Sequence, residues 1–180
     1  MDTMDPTQRL EYLESHPPRV TSGFDVVSVS FPDFQFDGHG EELNPAFWIK
    51  CRCGSELLSI DGFKFNVDDG YIFLSPLEVE CTKCSTRSAL LDTDLHGYDA
   101  ELGHGTSTRR AEGEGNRFRC DTCSSDEFNT FLRFEYPDDL FEGSFDHSGK
   151  AIQDLFTWVT CVGRCNGCQG LWIVADFECA

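Results

Sequence analysis

The sequence predicts a mainly β protein: two antiparallel β units behind a short N-terminal helix. Three observations carry that expectation. Apolar and polar residues alternate over short runs, turn residues punctuate those runs, and close cysteine pairs recur at matching points in the two halves of the 180-residue chain. An apolar fraction of 39% with 16 Phe is enough for a core. Two units of roughly 80 to 90 residues would each be small, and small cores commonly rely on metals or disulfides. The ten cysteines meet that need.

The helix is expected over residues 7–15, with Thr7 as N-cap, Leu10 and Leu13 on one face, and Pro17-Pro18 as the stop. Val27, Val29 and Phe31 then alternate, and Phe34 and Phe36 resume after Pro32 on the opposite parity, as a bulge would allow. Phe63, Phe65 and Val67 alternate up to a turn signal at Asp69-Gly70, from which Tyr71–Leu77 returns as the second arm of a hairpin. Leu132, Phe134 and Tyr136 make another run, and Leu155–Cys161 and Leu171–Cys179 two more. Residues 96–116 carry five glycines and little apolar content, the composition of a loop or linker. The division is therefore a lead-in with its helix over 1–22, a first unit over 23–95, the linker over 96–116 and a second unit over 117–180. Acidic residues follow the last cysteine of each unit at the same offsets, Asp92 and Asp94 after Cys84 and Asp176 and Glu178 after Cys168, as an internal duplication would leave them.

The cysteine spacing is the most specific signal. Cys51-Arg52-Cys53 pairs with Cys81-Thr82-Lys83-Cys84, and Cys120-Asp121-Thr122-Cys123 with Cys165-Asn166-Gly167-Cys168. A tight turn aims two sulfurs at one point, and a second turn brought alongside by a hairpin supplies two more. Four thiolates then satisfy the tetrahedral preference of Zn²⁺. The pattern resembles the zinc-ribbon (zinc β-ribbon) superfamily, in which two cysteine-bearing turns on antiparallel strands clamp one ion. The resemblance covers residues 50–95 and 118–178. It implies two structural Zn²⁺ per chain, one on Cys51, Cys53, Cys81 and Cys84, the other on Cys120, Cys123, Cys165 and Cys168. The first pair departs from the pattern in being CxC, so its turn must be tighter, and His96 or His104 could replace a ligand there. Iron in place of zinc, a disulfide framework and a thioredoxin-like CxxC are the competing readings; the last needs a single pair beside a βαβ pattern. Cys161 and Cys179 share parity with apolar neighbours and are expected in the core as small hydrophobes.

A catalytic zinc keeps a coordination position open, and complete sets of four cysteines leave none. Neither HExxH nor the deaminase pattern HxE…PCxxC occurs. Gly143–Lys150 has one residue too many for a phosphate-binding loop, and Ala151 stands where Ser or Thr should bind Mg²⁺, so it is read as the loop joining strands 128–136 and 154–161. His96 and His104, with Asp99 and Glu101, are read as loop polarity, and Asp68-Asp69 and Asp138-Asp139 as turn residues. No enzyme activity is expected.

The formal charge is −18, from 32 acidic and 14 basic residues. Two four-thiolate zinc sites would take it to about −22. Such a surface repels phosphate backbones and favours basic partners. The N-terminus is acidic without an apolar run, and no stretch approaches the ~20 apolar residues of a membrane span, so a cytoplasmic protein with reduced thiols is expected. Together these features lead us to expect a non-catalytic structural-zinc protein that binds another protein through an acidic surface. The alternatives are an acidic inhibitor or immunity protein that neutralises a basic partner such as a nuclease toxin, and, disfavoured by charge, a nucleic-acid-binding zinc ribbon.

Overall fold

The computed structural model describes residues 5–30, 44–67, 70–96, 111, 114–142 and 149–179. The chain is mainly β, as its alternating runs require. Helix α1 spans Pro6–Ser15, and its N-cap is Asp5 rather than Thr7. Proline has no N–H to lose at the first helical position and already holds the helical φ, so Pro6 fixes the start one residue before Thr7. Asp5 accepts the Gln8 N–H at 3.1 Å while the Gln8 side chain accepts the Asp5 N–H at 3.3 Å, a closed capping box. Leu13 is fully buried and Leu10 partly so.

Strands β1 (Asp25–Val29), β2 (Ala46–Lys50), β3 (Leu58–Val67), β4 (Gly70–Cys81), β5 (Arg87–Leu91), β6 (Asn116–Arg117), β7 (Phe128–Glu135), β8 (Trp158–Cys165) and β9 (Leu171–Glu178) form one antiparallel, curled sheet. A short helix, α2 (Thr93–His96), follows β5. The expected hairpin is β3–β4, closed at Val67↔Gly70, so Gly70 opens the returning strand. A bulge at Asp61/Phe63 lets β3 bend, and there β4 packs so closely that a Cβ on Gly62 would lie 2.7 Å from both Leu77 and Phe73. Phe31, Phe34, Phe36, His104 and most of the 96–116 and 143–150 segments lie outside the described residues. The strands flanking the latter segment, β7 and β8, pair along their full length from Phe128↔Cys165 to Glu135↔Trp158.

Two parities differ from the alternation read in the sequence. Val27 is 46% exposed on the edge strand β1, and Val26 packs against the core instead. In β9 a bulge opposite Cys161/Val162 turns Ile173 outward, while Ala175, Phe177 and Cys179 face inward. Cys161 and Cys179 are nonetheless buried, as expected, and burial pushes both thiols up to about 12, with Glu178 and Asp176 adding to the effect at Cys179.

The sheet has an internal two-fold order. Along the path β5–β4–β3–β7–β8–β9 the two cysteine units meet head-on at the pair Leu58↔Phe128. These residues are equivalent: Leu58 follows Cys53 and Phe128 follows Cys123 by the same five positions, and they pair with Cys81 and Cys165 respectively. The strands leading into the first cysteine pairs are exchanged. β2, which runs into Cys51, lies on β7 of the second unit, with Ile49↔Thr130 as its last pair. β6, which runs toward Cys120, lies on β3 of the first unit, and the Phe118 N–H donates to the Ile60 carbonyl at 2.8 Å. Ile49 and Phe118 each stand two residues before a first cysteine. The units therefore share one sheet and one core, in which Phe47, Phe73, Phe128, Phe134, Phe156 and Phe177 are the largest fully buried side chains. Phe118 ties the halves together, its ring 5.4 Å from Phe73 and 5.2 Å from Phe128. Arg117 does the same in charge, donating to both Asp61 oxygens at 2.6 and 3.0 Å and to Glu80 at 2.9 Å. The side-chain bonds of Arg117 and Arg87 hold the Glu80 carboxyl below its ordinary range.

Two four-cysteine candidate metal centres

Each cysteine pair sits in a turn at a strand end, and three of the four turns share one construction. The N–H four residues after the first cysteine donates back to its carbonyl: Ser85 to Cys81 at 2.9 Å, Ser124 to Cys120 at 2.7 Å and Gln169 to Cys165 at 2.9 Å. The first cysteine's own N–H closes the loop onto the next residue's carbonyl, at Thr86, Ser125 and Gly170, over 2.8–3.0 Å. Ser85, Ser124 and Gln169 accordingly adopt φ of 59°, 60° and 62°. The CxC turn keeps both bonds with one residue fewer, Gly54 N–H to Cys51 O at 2.8 Å and Cys51 N–H to Ser55 O at 2.9 Å. Its positive φ of 81° falls on Gly54, the residue that adopts it without steric cost. The shorter spacing is thus absorbed by a tighter loop of the same plan.

The turns bring the sulfurs together as the spacing requires. Cys51, Cys53, Cys81 and Cys84 form one cluster and Cys120, Cys123, Cys165 and Cys168 the other, with all sulfurs of a cluster within 4.8 Å of one another. The closest approaches are Cys51–Cys84 at 3.6 Å, Cys53–Cys81 at 3.5 Å, Cys120–Cys168 at 3.5 Å and Cys123–Cys165 at 3.4 Å. A tetrahedral ion with sulfurs at about 2.3 Å holds them about 3.8 Å apart, so the donor sets fit a metal of that kind. All ten cysteines are free thiols. In each turn the second cysteine is exposed, and the first is buried except for the half-buried Cys51. Each centre therefore lies at the rim of the sheet with one ligand pair anchored inside.

Crowding four thiols splits their acidities. Burial works against ionisation of Cys81 and Cys120, yet both are pulled down to about 6. The Cys84 and Lys83 N–H groups reach the first sulfur and the Cys123 and Thr122 N–H groups the second, and neighbouring thiols add to the effect. The Cys53 N–H favours the Cys51 thiolate and the Ser125 N–H that of Cys123. Burial and the surrounding sulfurs outweigh those bonds and push both thiols up to about 12. All four sulfurs of a cluster could ionise at these separations only with a cation among them. The backbone also approaches the second cluster directly: a Cβ on Gly167 would sit 2.9 Å from the Cys123 sulfur.

His96 is not a member of the first cluster, which is complete with four cysteines. Its Nδ1 accepts the Asp92 N–H at 3.0 Å at the end of α2, and burial lowers its basicity, opposed by the Asp92 charge. The matched acidic offsets after Cys84 and Cys168 do not carry matched roles. Asp92 Oδ1 caps α2 through the Asp94 and Leu95 N–H groups, whereas Asp176 Oδ1 accepts from Trp158 Nε1 at 2.6 Å and Thr160 Oγ1 at 2.8 Å. The features that sequence reasoning missed are the exchanged strands β2 and β6. Their only signal is the shared position of Ile49 and Phe118 before a first cysteine. Among the described residues, no helix is long and apolar enough to cross a membrane. Comparison with protein-family models, with curated proteins and with solved structures returned no match.

Proposed function

We propose that this chain is a non-catalytic structural-zinc protein of zinc-ribbon type, a protein-interaction module whose two Zn²⁺ ions shape an acidic display surface. The observation that carries this reading is the closure of both clusters: four sulfurs each, 3.4–3.6 Å apart at the closest approaches, on turns of one plan. Four thiolates fill a tetrahedral shell, so the ion's contribution is to folding and not to chemistry at an open position. Thiolate sets of this kind also accept iron, and elemental analysis separates the two metals. The formal charge of −18 opposes nucleic-acid binding. That same charge favours one second reading, an acidic inhibitor of a basic protein such as a nuclease toxin.

The test is affinity capture on the zinc-loaded chain at low and high ionic strength, with zinc measured on the same sample. The proposal expects two zinc ions per chain and a partner retained in high salt. A partner lost in high salt transfers the case to the inhibitor reading. Micromolar affinity for DNA or RNA near physiological salt contradicts both, and a chain free of bound metal contradicts the structural-zinc reading.

A further inference from the structure

We propose that the two centres take up their metal ions cooperatively, as one set, because the strand delivering the first cysteine pair of each cluster is hydrogen-bonded to the hairpin of the other. The inference rests on the metal reading above and adds to it how the ions are bound.

An ion in the first cluster must bring the turn of Cys51 and Cys53 against that of Cys81 and Cys84. The former turn hangs from β2, and β2 is held by β7 from Ala46↔Arg133 to Ile49↔Thr130. Fixing Cys51 therefore fixes β2 on β7, the strand that begins just after Cys123 and pairs at Phe128 with Cys165. The second cluster repeats the arrangement in reverse. Cys120 follows Phe118 and Arg117, which are bonded to β3 at Ile60 and Asp61, and β3 pairs at Leu58 with Cys81. The backbone around each cluster matches as well: Thr82 N–H donates to Leu57 O at 3.3 Å and Asn166 N–H to Glu127 O at 2.9 Å. Asn129 Nδ2 reaches from β7 to the Glu56 carbonyl at 3.1 Å, just ahead of β3. One unbroken row, Cys81–Leu58–Phe128–Cys165, runs from cluster to cluster. It is buried throughout and crosses three strand spacings, about 14 Å along the sheet. The first ion bound thus orders strands that the second would otherwise have to order itself, which is a positive coupling between the sites.

The experiment is titration of the metal-free full chain with zinc, followed by native mass spectrometry. Two equal, independent sites leave half of the chains singly loaded at half saturation. A coupling of tenfold or more lowers that to about a quarter or less, and this is the expected result. A second arm uses Cys84→Ser, which removes an exposed ligand of the first cluster only, with zinc affinity at the remaining cluster read by competition with a chromophoric chelator. The expected change is a weakening of at least about tenfold. Two ions per chain with singly loaded chains at half or more, or a remaining-site affinity within about threefold of the unaltered protein, overturns the coupling and leaves the metal reading standing. Absence of zinc uptake overturns the metal reading itself.

Discussion

Gly163 on β8 pairs with Thr130 on β7 and lies diagonally beside the buried ring of Phe128, which pairs with Cys165, and the two sizes are complementary. A Cβ on Gly163 would meet Phe128 Cδ1 at 3.0 Å, Phe128 Cγ at 3.3 Å and Val174 Cγ2 at 3.3 Å. Phe128 is fully buried and cannot swing away. Gly163→Ala should therefore cost about 1–3 kcal/mol by overpacking. Phe128→Ala removes a fully buried ring that packs against Phe118 and should cost about 3–5 kcal/mol, from lost burial and the void left behind. In the Phe128→Ala background the methyl added by Gly163→Ala has room, and the double variant should be more stable than the sum of the single costs by at least about 1 kcal/mol. The assay is urea unfolding of the metal-loaded protein for the four members of the cycle, compared at a common m-value. Additivity within about 0.5 kcal/mol would show that the ring and the glycine do not share a packing site, and the account of packing between β7 and β8 would fail.

Three further outcomes are expected. Ser85→Gly and Ser124→Gly should each stabilise the fold by up to about 1 kcal/mol in the same assay, because both serines hold φ near +60°, where glycine meets no steric penalty; a loss of stability would contradict the turn geometry. Gly167→Ala should displace the Cys123 sulfur, 2.9 Å from the added Cβ, and speed zinc loss to a chelator, whereas an unchanged rate would mean the turn yields freely. Cys161 and Cys179, whose thiols burial raises to about 12, stay protonated at neutral pH and gain thiolate only as pH rises toward that value. Both should resist iodoacetamide until the chain unfolds, as read by peptide mass spectrometry, and rapid labelling in the folded state would contradict their burial.

What was legible in the sequence is what local chemistry writes. The eight clustered cysteines were all readable, because a sulfur cluster made of tight turns leaves its spacing in the chain. The β3–β4 hairpin was readable from Phe63, Phe65 and the Asp69-Gly70 signal in the sequence. What escaped is long-range or depends on a one-residue shift. The pairing of β2 with β7 and of Phe118 with Ile60 joins segments far apart in sequence, and no periodicity within either strand names its neighbour. The bulge opposite Cys161/Val162 changes the inward parity midway along β9, so Ile173 faces out although it alternates with Ala175 and Phe177. Pro6 moves the helix start to Asp5, a signal present in the sequence but outweighed by the more familiar Thr7. The CxC pair leaves room for a histidine ligand only if a shorter turn is a different turn. Gly54 shows that it is the same one, less a residue.

The most direct test of the account is X-ray absorption at the metal edge of the protein as purified without added metal. The account predicts a zinc edge, two ions per chain, and a first shell of four sulfurs at about 2.3 Å with no nitrogen or oxygen component. A first shell of mixed light atoms and sulfur, or fewer than four sulfurs per ion, would contradict the closed clusters on which the proposed function depends.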